Sequence, residues 1–173
     1  MDPRALLVID LQNDYFPGGK FPLWNPEAAL DRALQAIGRA RARGIPVILV
    51  QHVADSRRGP APFFQEGSEG AQLHPRLRAA APGAPVVVKA FADSFHETEL
   101  EATLAALGTA ELLVCGMMTQ NCVTHTAISK AAEKYRVSVL GDCCASVSEP
   151  VHLIALNALS TRVPILAAAE ALG

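Results

Sequence analysis

The chain has 173 residues, half of them apolar, and its 15 basic residues nearly balance 17 acidic ones. This length and apolar content suit one globular domain, spanning residues 1–173, that folds around its own core. The charge balance excludes the basic surface typical of nucleic-acid-binding proteins, so we expect a small-molecule substrate as the partner.

The amino-terminal residues carry charge after too few apolar positions for a secretory signal, and no segment reaches the roughly 20 apolar residues that cross a bilayer. We therefore expect a cytoplasmic protein without membrane contacts. The four cysteines, Cys115, Cys122, Cys143 and Cys144, lack both the density of a disulfide scaffold and the Cys-x-x-Cys spacing of zinc or redox sites. We expect them to be reduced thiols.

Short apolar runs alternate with longer helical patterns along the chain. The predicted strands cover residues 5–11, 45–51, 84–90, 111–116 and 136–142, with a weaker run at 163–167. The predicted helices cover residues 26–43, 97–107, 119–134 and 149–160. The strand runs are continuously apolar, which is typical of strands buried on both faces of a parallel sheet. The repeated order predicts an α/β fold, a Rossmann-like three-layer sandwich with a six-stranded, mostly parallel central sheet and helices on both faces.

Two other segments carry local signals. The first predicted helix has Asn25 as its cap, Pro26 at its first position and Gly44 as its stop.

Residues 53–84 hold many prolines and glycines with little periodicity. A connection of this length is typical of a binding loop or lid, and a plain surface excursion is the alternative. We treat this segment as a candidate pocket wall.

Chemically capable side chains lie at the ends of the first four predicted strands. Asp10 comes after the residues ALLVI, Gln51 and His52 after ILV, and Lys89 after VVV, while Cys122 lies on the turn after the fourth strand. The carboxyl ends of parallel strands share one edge of a sheet, where ligands bind, so these residues are expected to meet. Each residue also has a purely structural interpretation, in which Asp10 caps a turn, the Lys89 side chain extends to solvent, and His52 is a hydrogen-bonded polar neighbour. A desolvated ammonium beside a carboxylate favours the functional reading.

Cys122 is the candidate nucleophile. If Thr119 caps the following helix, Cys122 falls in the first turn, where unpaired N–H groups and the helix dipole favour an anion. A thiol there is expected to have a lowered pKa and to react as a thiolate. Cys115 is expected to pack inside its strand, and the roles of Cys143 and Cys144 stay open.

Several motifs occur together in one order. They are DLQNDYFPGG at 10–19, VQHV at 50–53, FFQEGSEGAQLHPRL at 63–77, KAFADSF at 89–95, CGMMTQNCVTHTA at 115–127 and DCCASVSEPVHLIALNAL at 142–159. The set resembles the isochorismatase-like cysteine hydrolases, a family that includes nicotinamidases and N-carbamoylsarcosine amidases. The resemblance covers nearly the whole chain.

The resemblance implies a catalytic triad of Asp10, Lys89 and Cys122. It also implies a non-proline cis peptide at Met117 to Met118, and an oxyanion hole formed by the backbone N–H groups of Met118 and Cys122. In the implied mechanism Asp10 takes the thiol proton, and the thiolate attacks a carbonyl carbon to form a thioester. The family commonly forms dimers or tetramers, so the resemblance also implies a homo-oligomer.

The chain departs from the nicotinamidase pattern at the second strand. Nicotinamidases carry an Asp-x-His metal pair there, whereas this chain has Gln51, His52 and Val53, with no carboxylate at the first ligand position. We therefore expect no metal and no cofactor, and His74 is left as a pocket residue or a loop anchor. Isochorismatases proper do not need the cysteine, so Cys122 favours a cysteine hydrolase that cleaves a C–N bond in a small amide, ureido or carbamoyl substrate.

Five residues near these motifs are expected to contact the substrate: Gln51, His52, Tyr15, Phe16 and Thr119. Two alternatives on the same fold are an isochorismatase-type hydrolase of a non-amide substrate and a catalytically inert binding protein. A nucleotide-binding module is a poorer interpretation, because the turn after the first strand lacks the G-x-G-x-x-G phosphate cradle.

Overall fold

Six parallel strands form one sheet in the computed structural model, which describes residues 3–173. The strands are β1 (Arg4–Ile9), β2 (Val47–His52), β3 (Val86–Lys89), β4 (Glu111–Met117), β5 (Arg136–Ala145) and β6 (Ile165–Leu166). Their order across the sheet is β3-β2-β1-β4-β5-β6, and every neighbouring pair runs parallel. All six predicted strands are present, with bounds shifted by a few residues.

Helices cover both faces of the sheet, so the fold is the predicted three-layer α/β sandwich. The α-helices are α1 (Pro26–Ala42), α2 (Pro75–Ala80), α3 (Leu100–Ala106), α4 (Thr124–Ala127), α5 (Glu149–Leu159) and α6 (Ala168–Ala171). Within residues 3–173, no helix has both the length and the apolar character that crossing a bilayer requires.

The inner strands are apolar along their whole length because both of their faces are covered. Residues 5–9 of β1 and 112–117 of β4 are buried throughout, whereas β3, at the edge of the sheet, exposes Val86 and Val88 and buries Val87. The continuous apolar pattern therefore predicted the burial of the inner strands correctly, and it overestimated the burial of the edge strand.

The direction of strand addition reverses at β1. From β1, the sheet extends through β2 and β3 to one edge and through β4, β5 and β6 to the other. In open α/β sheets such a reversal opens a crevice at the carboxyl ends of the strands. Gly116 lies at this point with a φ of 121°, and a Cβ atom on it would lie 2.0 Å from the Ile9 carbonyl oxygen. A glycine is required there for β4 to approach β1 this closely.

The helix predicted over residues 119–134 is broken into three pieces, so that prediction was wrong. A π-helical turn covers Thr119–Val123, α4 follows, and a 3₁₀ turn covers Lys130–Lys134. The Thr124 hydroxyl donates to the Thr119 carbonyl at 2.6 Å, and the Ser129 hydroxyl accepts from the N–H of Ala131. Hydroxyl side chains that bond to the backbone in this way compete with regular helix.

The start of α1 also differs from its prediction. The helix begins at Pro26, as expected, but Asn25 has a left-handed backbone with a φ of 51°, and its side chain makes no capping hydrogen bond. The proline alone marks the start, because its fixed φ suits a first helical position.

The long connection between β2 and β3 is ordered by helical turns and by contacts with the segment after β1. It contains a 3₁₀ turn, Ser56–Arg58, and the helix α2. The His74 side chain caps α2 by accepting from the N–H of Arg76, so His74 is a loop anchor. The Gln12 side chain donates to the Ala71 carbonyl at 2.7 Å. These contacts hold the connection over the carboxyl end of the sheet.

Candidate active site

Three side chains from separate segments meet at the carboxyl end of the sheet. Asp10 directly follows β1, Lys89 ends β3, and Cys122 lies on the π-helical turn after β4. The Lys89 Nζ atom is 2.9 Å from Asp10 Oδ2 and 3.2 Å from Cys122 Sγ. The structure therefore brings together the three residues of the expected triad, and it buries all three almost completely.

The backbone at Asp10 has a conformation that the sequence did not reveal. Its φ is 54°, in the left-handed region that aspartate tolerates better than most residues. Its N–H nevertheless donates to the Val50 carbonyl of β2 at 3.0 Å. The chain thus leaves the sheet sharply while Asp10 stays anchored to it. Neither carboxylate oxygen of Asp10 accepts an aligned hydrogen bond from the residues that the structure describes.

The Lys89 ammonium is held by several acceptors. It donates to His52 Nδ1 at 3.0 Å, to the Phe91 carbonyl at 3.0 Å and to Cys122 Sγ at 3.2 Å. Burial lowers the pKa of Lys89, but its charge and hydrogen-bond interactions with Asp10 and Cys122 outweigh burial, and the pKa of Lys89 is raised. The ammonium therefore stays protonated at neutral pH.

Cys122 does not have the lowered pKa that its position in the sequence suggested. Burial, followed by the negative charge of Asp10, raises the pKa of the Cys122 thiol well above its ordinary value, and Lys89 opposes this rise only in part. Desolvation penalises the thiolate more than the neighbouring ammonium favours it. Cys122 therefore rests as a thiol, and a base must remove its proton before it can attack.

Thr119 was expected to cap a helix and to contact the substrate, but the structure gives it another position. Met118 occupies the cap position, and Thr119 is the first residue of the π-helical turn. The Thr119 hydroxyl lies 3.0 Å from the Ala145 carbonyl and 2.8 Å from His152 Nδ1. Since its side chain is completely buried, Thr119 connects the end of β5 to α5.

The turn ahead of Cys122 has the backbone expected at an oxyanion hole. The peptide bond between Met117 and Met118 is cis, at the place that the resemblance implied. The Met118 N–H donates no hydrogen bond within residues 3–173, while the Met118 carbonyl accepts from the N–H groups of Asn121 and Val123. A backbone donor is therefore available on the turn ahead of Cys122.

The other predicted substrate contacts divide into two groups. His52 reaches the triad through Lys89, and the pKa of Tyr15 is raised by burial and by the charge of Asp10, so the phenol lies within electrostatic range of the triad. The side chains of Gln51 and Phe16 contact the long connection between β2 and β3. The Gln51 amide donates to the Ala71 carbonyl at 2.8 Å, and the Phe16 ring packs on His74 with 4.5 Å between ring centroids.

An aromatic ring from the long connection, that of Phe64, lies on one side of this region, and the predicted pocket wall stays a prediction. The Phe64 ring lies 4.6 Å from that of Tyr15 and 5.8 Å from that of His52, measured between centroids. Phe64 has a φ of 57°, and its N–H donates to Asp14 Oδ2 at 2.7 Å. The buried Asp14 also accepts from the N–H of Lys20 at 3.0 Å. Asp14 is a supporting residue that sequence reasoning missed, although it lies in the DLQND motif.

The Lys89 ammonium lies among the side-chain atoms of the site that are of the types that bind metal ions. One donor atom each from Asp10, His52 and Cys122 lie within 4.8 Å of one another. The Lys89 ammonium contacts all three, at 2.9 Å from the Asp10 oxygen, 3.0 Å from the His52 nitrogen and 3.2 Å from the sulfur. The expected absence of a metal or cofactor stays a prediction.

Comparisons with known proteins agree with this fold. The family model of the isochorismatase domain matches residues 4–171. The isochorismatase family protein YddQ of Bacillus subtilis is 40% identical over 83% of this chain and 78% of its own length. The nicotinamidase of Escherichia coli is 32% identical over 86% of this chain and 85% of its own. A crystal structure described as that of an isochorismatase hydrolase from Oleispira antarctica superimposes with a TM-score of 0.86 at 34% identity, covering 99% of this chain and 96% of that one.

Proposed function

The chain belongs to the isochorismatase family, and on this premise we propose that it is a cysteine-dependent amidohydrolase. It cleaves the C–N bond of a small amide, ureido or carbamoyl substrate through a thioester intermediate. The observation that carries the proposal is the convergence of Asp10, Lys89 and Cys122, with the Lys89 ammonium 2.9 Å from the carboxylate and 3.2 Å from the sulfur.

The names of two relatives support amide hydrolysis. The Escherichia coli relative is a nicotinamidase. A second relative, 31% identical over 80% of this chain and 70% of its own length, is the maleamate amidohydrolase of Pseudomonas putida. Both proteins are named for the hydrolysis of an amide.

The first chemical step is the activation of the sulfur. Because burial keeps Cys122 protonated at rest, the reaction needs a base close to the sulfur. One carboxylate oxygen of Asp10 lies within 4.8 Å of the sulfur, and neither oxygen accepts an aligned hydrogen bond from the described residues. Asp10 takes the thiol proton as the sulfur attacks the substrate carbonyl carbon, and the Lys89 ammonium balances the negative charge that moves between the two residues.

The tetrahedral intermediate then collapses toward the thioester. The backbone N–H groups of Met118 and Cys122 stabilise its oxyanion, with each well-placed donor contributing about 3 kcal/mol. Asp10 returns its proton to the substrate nitrogen, the C–N bond breaks, and ammonia or an amine leaves. Water activated by Asp10 then attacks the thioester, which releases a carboxylic or carbamic acid and restores the Cys122 thiol.

His52 supplies a further contact to the substrate. Its Nδ1 atom accepts from Lys89, so its remaining proton lies on Nε2. The side chain is 21% exposed, whereas those of Asp10 and Lys89 are at 0%. We assign the Nε2–H group to an acceptor on the substrate, and we expect the substrate to enter past this ring.

A panel of small amides, ureas and N-carbamoyl amino acids tests the proposal, with the release of ammonia or amine as the readout. We expect at least one compound to be cleaved, an acyl adduct on Cys122 to be visible by mass spectrometry, and both signals to vanish in Cys122→Ala. Cys115→Ala is the matched control, because Cys115 is a buried thiol inside β4. Turnover that survives in Cys122→Ala contradicts a covalent mechanism, and a panel without cleavage or adduct favours an inert binding protein.

A further inference from the structure

The Lys89 ammonium has three protons and four acceptors within 3.2 Å. Three of these acceptors are aligned for hydrogen bonds: His52 Nδ1, the Phe91 carbonyl and Cys122 Sγ. The fourth, Asp10 Oδ2, is the nearest at 2.9 Å, yet it receives no aligned hydrogen bond. Four acceptors thus share three ammonium protons, and the contact with Asp10 Oδ2, although the shortest, is not aligned as a hydrogen bond.

This distribution of protons matters for the chemistry of the triad. A carboxylate that accepts a hydrogen bond from an ammonium is a weaker base than one that does not, since the hydrogen bond stabilises its charged form. The proton that Lys89 directs at Cys122 Sγ stabilises the sulfur as it becomes negative. The arrangement therefore favours proton transfer from Cys122 to Asp10.

We infer that His52 is a positioning residue: by accepting one ammonium proton at Nδ1, it keeps Lys89 donating to the Cys122 sulfur and leaves the Asp10 carboxylate free to act as the base. The inference rests on the proposed function and extends it to a residue that acts through Lys89. Without this acceptor, the released proton of Lys89 turns to Asp10 Oδ2, the nearest oxygen, and the ammonium is drawn away from the sulfur.

The backbone around His52 holds the ring in place for this task. The His52 N–H donates to Gln12 Oε1 at 2.8 Å, and its carbonyl accepts from Gln12 Nε2 at 2.7 Å. Within the sheet, His52 lies opposite Lys89 in the pairing of β2 with β3. The Gln12 side chain thus ties the end of β2 to the segment after β1, so that the imidazole faces the ammonium.

The protonation state of His52 agrees with an accepting role. The charged or titratable groups that face the ring are Lys89, Cys122 and Asp10, whose Oδ2 lies 3.8 Å from His52 Nδ1. Burial lowers the pKa of His52, Lys89 lowers it further, and Asp10 opposes them without reversing the direction. The imidazole is therefore neutral at neutral pH, with a free lone pair on the nitrogen that faces Lys89.

Alkylation of Cys122 by iodoacetamide tests this inference without any knowledge of the substrate. The rate is followed by mass spectrometry of the Cys122 peptide from neutral to alkaline pH, in the wild type, His52→Ala, His52→Asn and His96→Ala. Asparagine places an acceptor oxygen one bond from Cγ, as histidine places Nδ1. His96 contacts the Phe91 ring and is the exposed control.

We expect His52→Ala to alkylate roughly tenfold more slowly at a given pH, with its pH profile shifted to higher pH, because the sulfur loses part of its stabilisation by Lys89. His52→Asn restores most of the rate, and His96→Ala behaves as the wild type. Thermal unfolding confirms that each variant is folded, and His52→Leu, which fills the same space without an acceptor, replaces His52→Ala if the latter does not fold.

Two results overturn the inference: a non-accepting variant that alkylates like the wild type, or a folded His52→Asn that is as slow as His52→Ala. Failure of the proposed function is seen separately. If the alkylation series follows expectation while no amide, urea or carbamoyl compound is cleaved, the positioning role stands and the amidohydrolase proposal fails. If amides are cleaved and the series shows no effect of His52, the positioning role alone fails.

Discussion

Asp10 and Lys89 form an ion pair, with 2.9 Å between Oδ2 and Nζ, whose two side chains are both inaccessible to solvent. Removing two charges from water costs several kcal/mol for each ion, and their mutual attraction offsets this cost only when both are present. The pair is therefore weak evidence for stability and stronger evidence for function. It holds a base and a cation beside a sulfur in a place where water cannot screen them.

This coupling predicts how the two residues respond to substitution. Lys89→Met leaves the Asp10 carboxylate buried without its cation, and we expect it to lower the free energy of unfolding by about 3–5 kcal/mol. The double variant Asp10→Asn with Lys89→Met removes both charges and is expected to recover much of that loss. Denaturant unfolding of the wild type, both single variants and the double variant measures the coupling. Losses that simply add in the double variant contradict it.

Asp10→Asn is expected to separate thiol reactivity from turnover. The Asp10 charge is one cause of the raised pKa of Cys122, so its removal lowers the pKa of the thiol and speeds alkylation at neutral pH. The same substitution removes the base, and general-base catalysis contributes about 10²–10⁴-fold to a rate. We therefore expect faster labelling by iodoacetamide and a loss of turnover of that order.

Cys122→Ala supplies the background in this labelling experiment, because any labelling that remains in it comes from the other three thiols. Unchanged labelling in Asp10→Asn together with retained turnover places the base elsewhere.

The sequence predicted the meeting of Asp10, Lys89 and Cys122 because parallel strands end at one edge, so the strand assignments were sufficient to bring them together. It did not predict the acceptors of the Lys89 ammonium. One of them is the Phe91 carbonyl, a backbone atom that carries no sequence signal. The left-handed backbone at Asp10 was also invisible, since the surrounding structure imposes it.

The expected thiolate at Cys122 was wrong for a related reason. Capping rules describe an exposed helix end, whereas this turn is π-helical and buried, and burial dominates the pKa of the thiol. The sequence also did not predict that Gln51 and Thr119 contact backbone carbonyls, those of Ala71 and Ala145, and their predicted substrate contacts stay predictions. Local sequence identifies which groups are polar, but the tertiary packing decides which acceptor each one finds.

The stability of the fold is expected to fall on acidification through three buried or half-buried histidines. The pKa values of His52, His74 and His152 are all lowered, with burial as the largest cause in each. In the unfolded chain these histidines take up protons near pH 6.5, whereas in the folded chain they resist protonation. Their contribution to stability is thus fully present above about pH 6.5 and is lost as the pH falls toward the folded pKa.

Free energies of unfolding measured between neutral and mildly acidic pH test this expectation. His52→Asn does not titrate and is expected to show a shallower decline than the wild type, and His96→Ala serves as a variant of an exposed histidine. Parallel curves for His52→Asn and the wild type contradict the lowered pKa of His52.

Two glycine substitutions are expected to change the free energy of unfolding in opposite directions. β4 approaches β1 closely at Gly116, whereas Gly38 in α1 has open space around it. At Gly116 a Cβ atom would lie 2.0 Å from the Ile9 carbonyl oxygen, and the φ of 121° is unfavourable for any other residue. Gly116→Ala is therefore expected to lower the free energy of unfolding by at least about 3 kcal/mol. Gly38 lies inside α1, and a methyl group on it would meet no heavy atom of another segment within 4 Å, so Gly38→Ala is expected to add about 0.5–1 kcal/mol. Denaturant unfolding measures both changes. If Gly116→Ala leaves the free energy of unfolding unchanged, β4 can move away from β1. The distances among Asp10, Lys89 and Cys122 then do not depend on this contact.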